Sequence, residues 1–197
     1  MQNLIQTIEG YDYSLVDSRC LYHDGCIVDL GCLYWDWSNY FISKKRIIGA
    51  DPFEKETIPL RKESNERNVS VELFKGLVSN YNGTIKLNDC GICTSPLNGE
   101  GEIECQVITW KNFIKTFKIG SISVLKINIE GGEWDLIESF DSNDLNAIDQ
   151  IAISFHDAFH PQGTELTQNA IQKLKSNNFE QIPIFTEWGW HLFLKKD

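Results

Sequence analysis

Cys26-Ile27-Val28-Asp29-Leu30-Gly31 is the stretch whose reading decides the fold. Its apolar residues run almost without interruption and stop at a glycine, the pattern of a short strand buried on both faces of a parallel sheet. Arg46-Ile47-Ile48-Gly49-Ala50 repeats the pattern and is stopped by Asp51-Pro52. Between them, Leu33 to Lys45 reads as a helix rich in aromatic residues. A strand, a helix and a second buried strand make one βαβ unit, and the rest of the chain extends it.

Outward from this unit, apolar residues at Val69, Leu73, Phe74, Leu77, Val78 and Tyr81 have helical spacing, so a helix is expected from about Asn65 to Tyr81, ended by Asn82-Gly83. Thr84 to Leu87 is expected as the third core strand. The alternation Ile103, Cys105, Val107 indicates an extra strand in an edge hairpin, and Thr109 stands where it can cap a helix burying Trp110 and Phe113. Val124 to Ile129 and Gln150 to Phe155 are the fourth and fifth core strands, each followed by a helix, from Trp134 to Phe140 and from Thr164 to Ser176. Two final β runs, Glu180 to Phe185 and Trp190 to Leu194, are close enough to pair as an antiparallel hairpin. The expectation is a single α/β domain over 1–197: a three-layer sandwich on a mostly parallel seven-stranded sheet ending in an antiparallel hairpin.

Composition narrows the function classes. With 42% hydrophobic and 23% charged residues the chain is globular, not disordered. No apolar run approaches the ~20 residues that span a bilayer, so no membrane span is expected. Met1 to Gly10 lacks the basic start and apolar centre of a secretory leader, which favours a cytoplasmic location. A net charge of −10 repels polyanions, because nucleic-acid affinity rests on Lys and Arg, and it turns the reading toward a small-molecule acceptor. Cys90-Gly91-Ile92-Cys93 has C-x-x-C spacing, but no second pair completes a zinc set, so reduced structural thiols are expected.

In open α/β sheets, ligands bind beyond the carboxyl ends of the strands. The residues just past the expected strands are Asp29-Leu30-Gly31-Cys32, Asp51-Pro52, Asn88-Asp89-Cys90, Asn128 to Glu133 and His156-Asp157. Asp51 follows Asp29 by 22 positions, close to the ~20 at which such folds place a ribose-binding acid. The first turn is not G-x-G-x-x-G, and there is no P-loop, which argues against dinucleotide redox chemistry and ATP chemistry of that type. His156 and His160 sit at i and i+4, yet they follow a strand and precede Pro161, so no metal site is expected.

Ile27-Val28-Asp29-Leu30-Gly31, Trp37-Ser38 and Ile47 to Phe53 together resemble the cofactor half of FkbM-family methyltransferases. Val124-Leu125-Lys126-Ile127-Asn128-Ile129-Glu130-Gly131-Gly132-Glu133-Trp134 is similar to that family's signature, usually Lys-x-Asp-(Ile/Val)-Glu-Gly-x-Glu. The sheet ending in an antiparallel hairpin is also the layout of Rossmann-like methyltransferases. The resemblance implies transfer of a methyl group from S-adenosylmethionine, usually to a hydroxyl of a sugar, lipid or other metabolite. It implies that Asp29, Gly31 and Cys32 line the methionine and ribose portion of the cofactor, that Asp51 holds the ribose, and that Asp89 and Cys90 flank the adenine. It also implies that Asn128, Glu130 and Glu133 border or buttress the methyl-transfer site.

Cys32, Leu33 and Trp35 stand where the family usually has alanine, asparagine and a second glycine, and Asn128 stands where it usually has aspartate. Trp35 either crowds the cofactor tail or opens the following helix against the core. These departures motivate an alternative: a non-catalytic cofactor-binding or interaction protein on a degenerate methyltransferase fold. For the catalytic reading, a hydroxyl acceptor must lose its proton, and histidine is the side chain best matched to that task at neutral pH. His156 is the expected base, with Asp157 or Glu130 as its orienting partner and Asn128 at the same site; Glu130 is also expected to hold loop amides.

Overall fold

The structure, a computed structural model, describes residues 5–8, 11–17, 19, 22–41, 44–53, 65–66, 70–89, 101–183 and 190–196. Its centre is a sheet of seven strands built from the apolar runs. β3 (Cys26–Leu30), β4 (Ile47–Ala50) and β9 (Ile122–Ile127) are buried at every position. β10 (Gln150–Ser154) is buried throughout as well. β3 lies between β4 and β9 in parallel register, with Asp29 opposite both Gly49 and Lys126. The outer strands are β5 (Val71–Phe74), parallel to β4, and β12 (Trp190–Lys195), antiparallel to β10. β11 (Phe179–Ile182) completes the hairpin with β12. The spatial order is therefore β11-β12-β10-β9-β3-β4-β5.

Two smaller sheets flank it. β1 (Ile5–Ile8) and β2 (Tyr11–Asp17) form an antiparallel pair. Asp17 and Gln150 exchange two hydrogen bonds of 3.0 Å, Asp17 N donating to Gln150 Oε1 and Gln150 Nε2 donating to Asp17 O, which ties β2 to the centre of the main sheet. β6 (Leu77–Ser79), β8 (Ile103–Thr109) and β7 (Gly83–Leu87) make the third sheet, with β8 in the middle.

Side chains alternate across the central strands, so each strand serves two cores. Val28, Leu30, Leu125, Ile127, Ile151 and Ile153 face one side. That side is covered by α2 (Trp110–Thr116), α3 (Glu133–Ser139) and α5 (Gly163–Ser176). Ile27, Ile47 and Val124 face the other side and pack against Val16 and the aromatic cluster of Trp35, Trp37 and Phe41. Thr109 caps α2 by accepting from Asn112 N at 3.3 Å, and Asp141 caps α4 (Ser142–Asn146) in a reciprocal capping box.

Three expectations need correction. The helix expected from Asn65 to Tyr81 is replaced by β5 and β6. Joining two short strands at Lys75-Gly76 puts Leu73 and Leu77, and Phe74 and Val78, four residues apart, which imitates helical spacing. Gly76 makes the junction possible, because a Cβ there would lie 2.6 Å from Gln106 O. Thr84 to Leu87 is a strand of the small sheet, pairing antiparallel with β8, and β5 takes the third core place. Its residues Thr84 and Lys86 are exposed, whereas a strand inside the main sheet is covered on both faces. The helix expected from Leu33 to Lys45 reduces to α1 (Asp36–Asn39), because Leu33 and Trp35 take positive φ of 23° and 61°. A left-handed residue at the N-cap delays the helix.

Candidate functional site

A cavity of about 710 Å³ lies at the carboxyl ends of β3, β4, β9 and β10, within the usual size of a small-molecule site. Gly31, Asp51, Asn128, Glu130 and His156 all line it. The small sheet supplies an apolar side wall, with Leu77, Val78 and Val107.

The floor is a buried charge pair. Asp29, 0% exposed, receives a hydrogen bond from Ser38 Oγ at 2.5 Å. Its Oδ1 lies 2.8 Å from Lys126 Nζ, an ion pair lacking the alignment of a hydrogen bond. Lys126 in turn donates to Gly31 O at 2.6 Å, holding the first turn down onto β9. Gly31 has φ +80°, and a Cβ there would meet Asn128 O at 1.8 Å, so only glycine lets these two strand ends approach. Asp29 lines the cavity, and its carboxylate also serves the scaffold. Lys126, the lysine of the family-like block, belongs to the same support.

Asp51, at the end of β4, is oriented by two backbone amides: Leu33 N donates to Oδ2 at 3.0 Å and Phe53 N to Oδ1 at 2.8 Å. Burial pushes its carboxyl above the ordinary carboxylate range, against those two hydrogen bonds, which hold it down. Each oxygen keeps acceptor capacity beyond the one amide it binds. Cys32 is buried and lines the cavity. Trp35 does not line it. Its indole, 1% exposed, lies over Gly49, where a Cβ would come within 2.3 Å of Cη2. The glycine in β4 takes up the ring that the departing first turn had to place somewhere.

At the far side, Glu133 is the residue that organises the loop after β9. It is completely buried and accepts from Ile129 N and Gly131 N, both at 3.0 Å, and lies 2.8 Å from His156 Nδ1. The grip on loop amides expected of Glu130 belongs to Glu133. Glu130 sits between the two clamped amides with φ +55°, and its Oε2 lies 3.3 Å from His156 Nε2. Burial works against the charged form of His156, but the hydrogen bonds and charges of Glu130 and Glu133 outweigh it and raise the pKa to about 10. The two flanking carboxylates thus favour the charged form of the His156 ring.

The remaining expected residues are placed as follows. Asn128 is half-buried and lines the cavity. Asp89 is exposed past the end of β7 and does not line it, because β7 left the main sheet. Cys90, and the Cys90–Cys93 pair, lie outside the described residues. His160 accepts from Gln162 N at 3.1 Å, and its ring lies against Trp134 with centroids 6.0 Å apart. Ser38 and Glu133 were undervalued in the sequence. The available signal was an acid in the first turn of a helix directly after Gly131-Gly132.

A mostly parallel seven-stranded sheet with one antiparallel strand, and a cavity at the carboxyl ends of its central strands, defines the class: a Rossmann-like methyltransferase fold. Residues 31–180 match the family described as Methyltransferase FkbM domain, and the chain belongs to that family. Among solved structures, methyltransferase FkbM from Methylobacillus flagellatus KT is similar at 13% identity and TM-score 0.53. The match covers 86% of this chain and 43% of that one, so this chain spans less than half of its relative. Ribosomal protein L11 methylase from Lactobacillus delbrueckii subsp. bulgaricus aligns at 14% identity over 91% of this chain and 74% of its own, with TM-score 0.40. No curated protein matches the chain. Among the described residues no helix is long and apolar enough to cross a membrane.

Proposed function

We propose that this methyltransferase uses S-adenosylmethionine and methylates a hydroxyl group of a small metabolite or glycan. The observation that carries the reading is that Gly31, Asp51 and Glu130, from three separate strand ends, line one cavity of about 710 Å³. Its charge suits the group. The acidic lining residues Asp29, Asp51, Glu130 and Asp135 outnumber the cationic Lys126 and His156. Such a lining favours a sulfonium cation and disfavours the pyrophosphate of a dinucleotide.

The residues present fit the cofactor. Asp51 has free acceptor capacity for ribose hydroxyls, and its carboxylate is already oriented by Leu33 N and Phe53 N. Gly31 and Cys32 would border the methionine end, and the apolar wall of Leu77, Val78 and Val107 would face the adenine. When bound, S-adenosylmethionine supplies an electrophilic methyl group. The chain's own contribution is to align the acceptor and to exclude water, since much of the rate of an in-line displacement comes from positioning. Glu130, His156 and Asn128 all line the cavity, and in this reading they would border the acceptor hydroxyl.

Trp35 packs against Gly49 and does not line the cavity, which supports this reading on one of the three departures, Leu33, Trp35 and Asn128, that motivate the non-catalytic alternative. Isothermal titration with S-adenosylhomocysteine and, separately, with a nicotinamide dinucleotide tests it. Saturable binding of the first and none of the second is expected. The reverse pattern overturns the proposal.

A further inference from the structure

His156 has a carboxylate at each ring nitrogen: Glu133 Oε1 at 2.8 Å from Nδ1, and Glu130 Oε2 at 3.3 Å from Nε2. A neutral imidazole carries one N–H and one lone pair. It would satisfy one carboxylate and turn its lone pair on the other, a repulsive contact in a place where water offers little screening. Both contacts are favourable together when both nitrogens carry protons. Glu133 also accepts the Ile129 and Gly131 amides, one on each oxygen, so the same carboxylate holds the turn and meets the ring.

The same carboxylate shapes the chain around it. By binding the amides on either side of Glu130, it holds the 129–131 turn in a form in which Glu130 takes φ +55°. That conformation is uncommon for a residue with a side chain and persists only where its surroundings enforce it. Glu133 is buried and does not line the cavity, whereas Glu130 and His156 do. One buried acid thus sets both the backbone that aims Glu130 and the ring that faces it.

We propose that Glu133 is a positioning residue, and that through the turn amides and the His156 ring it presents Glu130 to the cavity as a carboxylate paired with a fixed imidazolium. His156 is then a cationic orienting group. Glu130 is the side chain of this trio that can accept the acceptor hydroxyl's proton, the bonding electron pair staying on the acceptor oxygen. The proton-accepting part rests on the methyl-transfer reading. The clamp does not.

Among the described residues, the charged groups that face His156 are Glu130 and Glu133, from the turn after β9 and the start of α3. Nitrogen-15 NMR of histidine-labelled protein reads the protonation of each ring directly, without ligand. In the wild-type chain His156 is expected to show two protonated nitrogens at pH 8, where an ordinary histidine shows one. In Glu133→Gln and in Glu130→Gln that signature at pH 8 is expected to be lost. A wild-type His156 that is singly protonated at pH 8 overturns the proposal, and this arm depends on no variant folding. A signature unchanged in a folded Glu133→Gln protein also overturns it. Titration of the same wild-type sample with S-adenosylhomocysteine reads the cofactor assignment separately, so failure of one is not mistaken for failure of the other.

Discussion

Lys126→Met isolates the support beneath the site. Methionine has nearly the length of lysine and no charge, so packing changes little while the ion pair disappears. In the folded chain the side chains of Asp29 and Lys126 are 1% and 5% exposed. After the substitution the Asp29 carboxylate keeps only its bond from Ser38 Oγ among its described contacts, and Gly31 O loses its donor. Stranding one partner of a buried ion pair costs about 3–5 kcal/mol. For a chain of this size each kcal/mol moves Tm by about 2–4 °C, so a fall of roughly 6–20 °C is expected. Removing both charges, in Asp29→Asn with Lys126→Met, ends the stranding and should recover much of the loss. Thermal unfolding followed by circular dichroism on the two single variants and the double closes the cycle. A single-variant cost below about 1 kcal/mol, the level of an exposed surface pair, would refute the buried-support reasoning.

Asp51→Asn keeps the shape but removes the charge that hydrogen bonds to ribose would use. Such bonds contribute about 1.5–3 kcal/mol, so S-adenosylhomocysteine should bind roughly ten- to hundredfold more weakly by calorimetry. An unchanged Kd takes Asp51 out of the site. His156 is raised from its ordinary value of 6.5 to about 10. Its contribution to stability is therefore full below the unfolded value and is lost as pH rises through about 10, so urea midpoints should fall across that window. A Glu133→Gln protein should show a flatter profile there, and a flat wild-type profile contradicts the pairing. Gly31→Ala drives a Cβ into Asn128 O and imposes φ +80° on a side-chain residue. It should cost more than about 2 kcal/mol in chemical denaturation, and a neutral result would mean that the strand ends do not meet this closely.

What was legible in the sequence follows from where each element sits. β3, β4, β9 and β10 are covered on both faces, so their residues had to be apolar in unbroken runs, and such runs are visible. Val71–Phe74 sits at the sheet edge and is only half-buried throughout, so its pattern was overridden by the chance four-residue offset with β6. The site was legible as a set of strand ends, because any residue just past a buried parallel strand points toward the cleft. Its internal partnerships were not. Lys126 reaches Gly31 O across 95 residues, and Glu133 meets His156 across 23, and no local pattern encodes such a pairing. The two-carboxylate environment of His156 is a property of that pairing, which the residue type alone does not reveal.

The most direct measurement is a crystal structure of the chain with S-adenosylhomocysteine. The expected result is a ligand in the cavity bounded by Gly31, Asp51 and Glu130, with its ribose hydroxyls on the Asp51 carboxylate and its sulfur toward Glu130 and His156. A ligand bound elsewhere, or a cavity left empty at saturating ligand, would contradict the assignment of this pocket to methyl transfer.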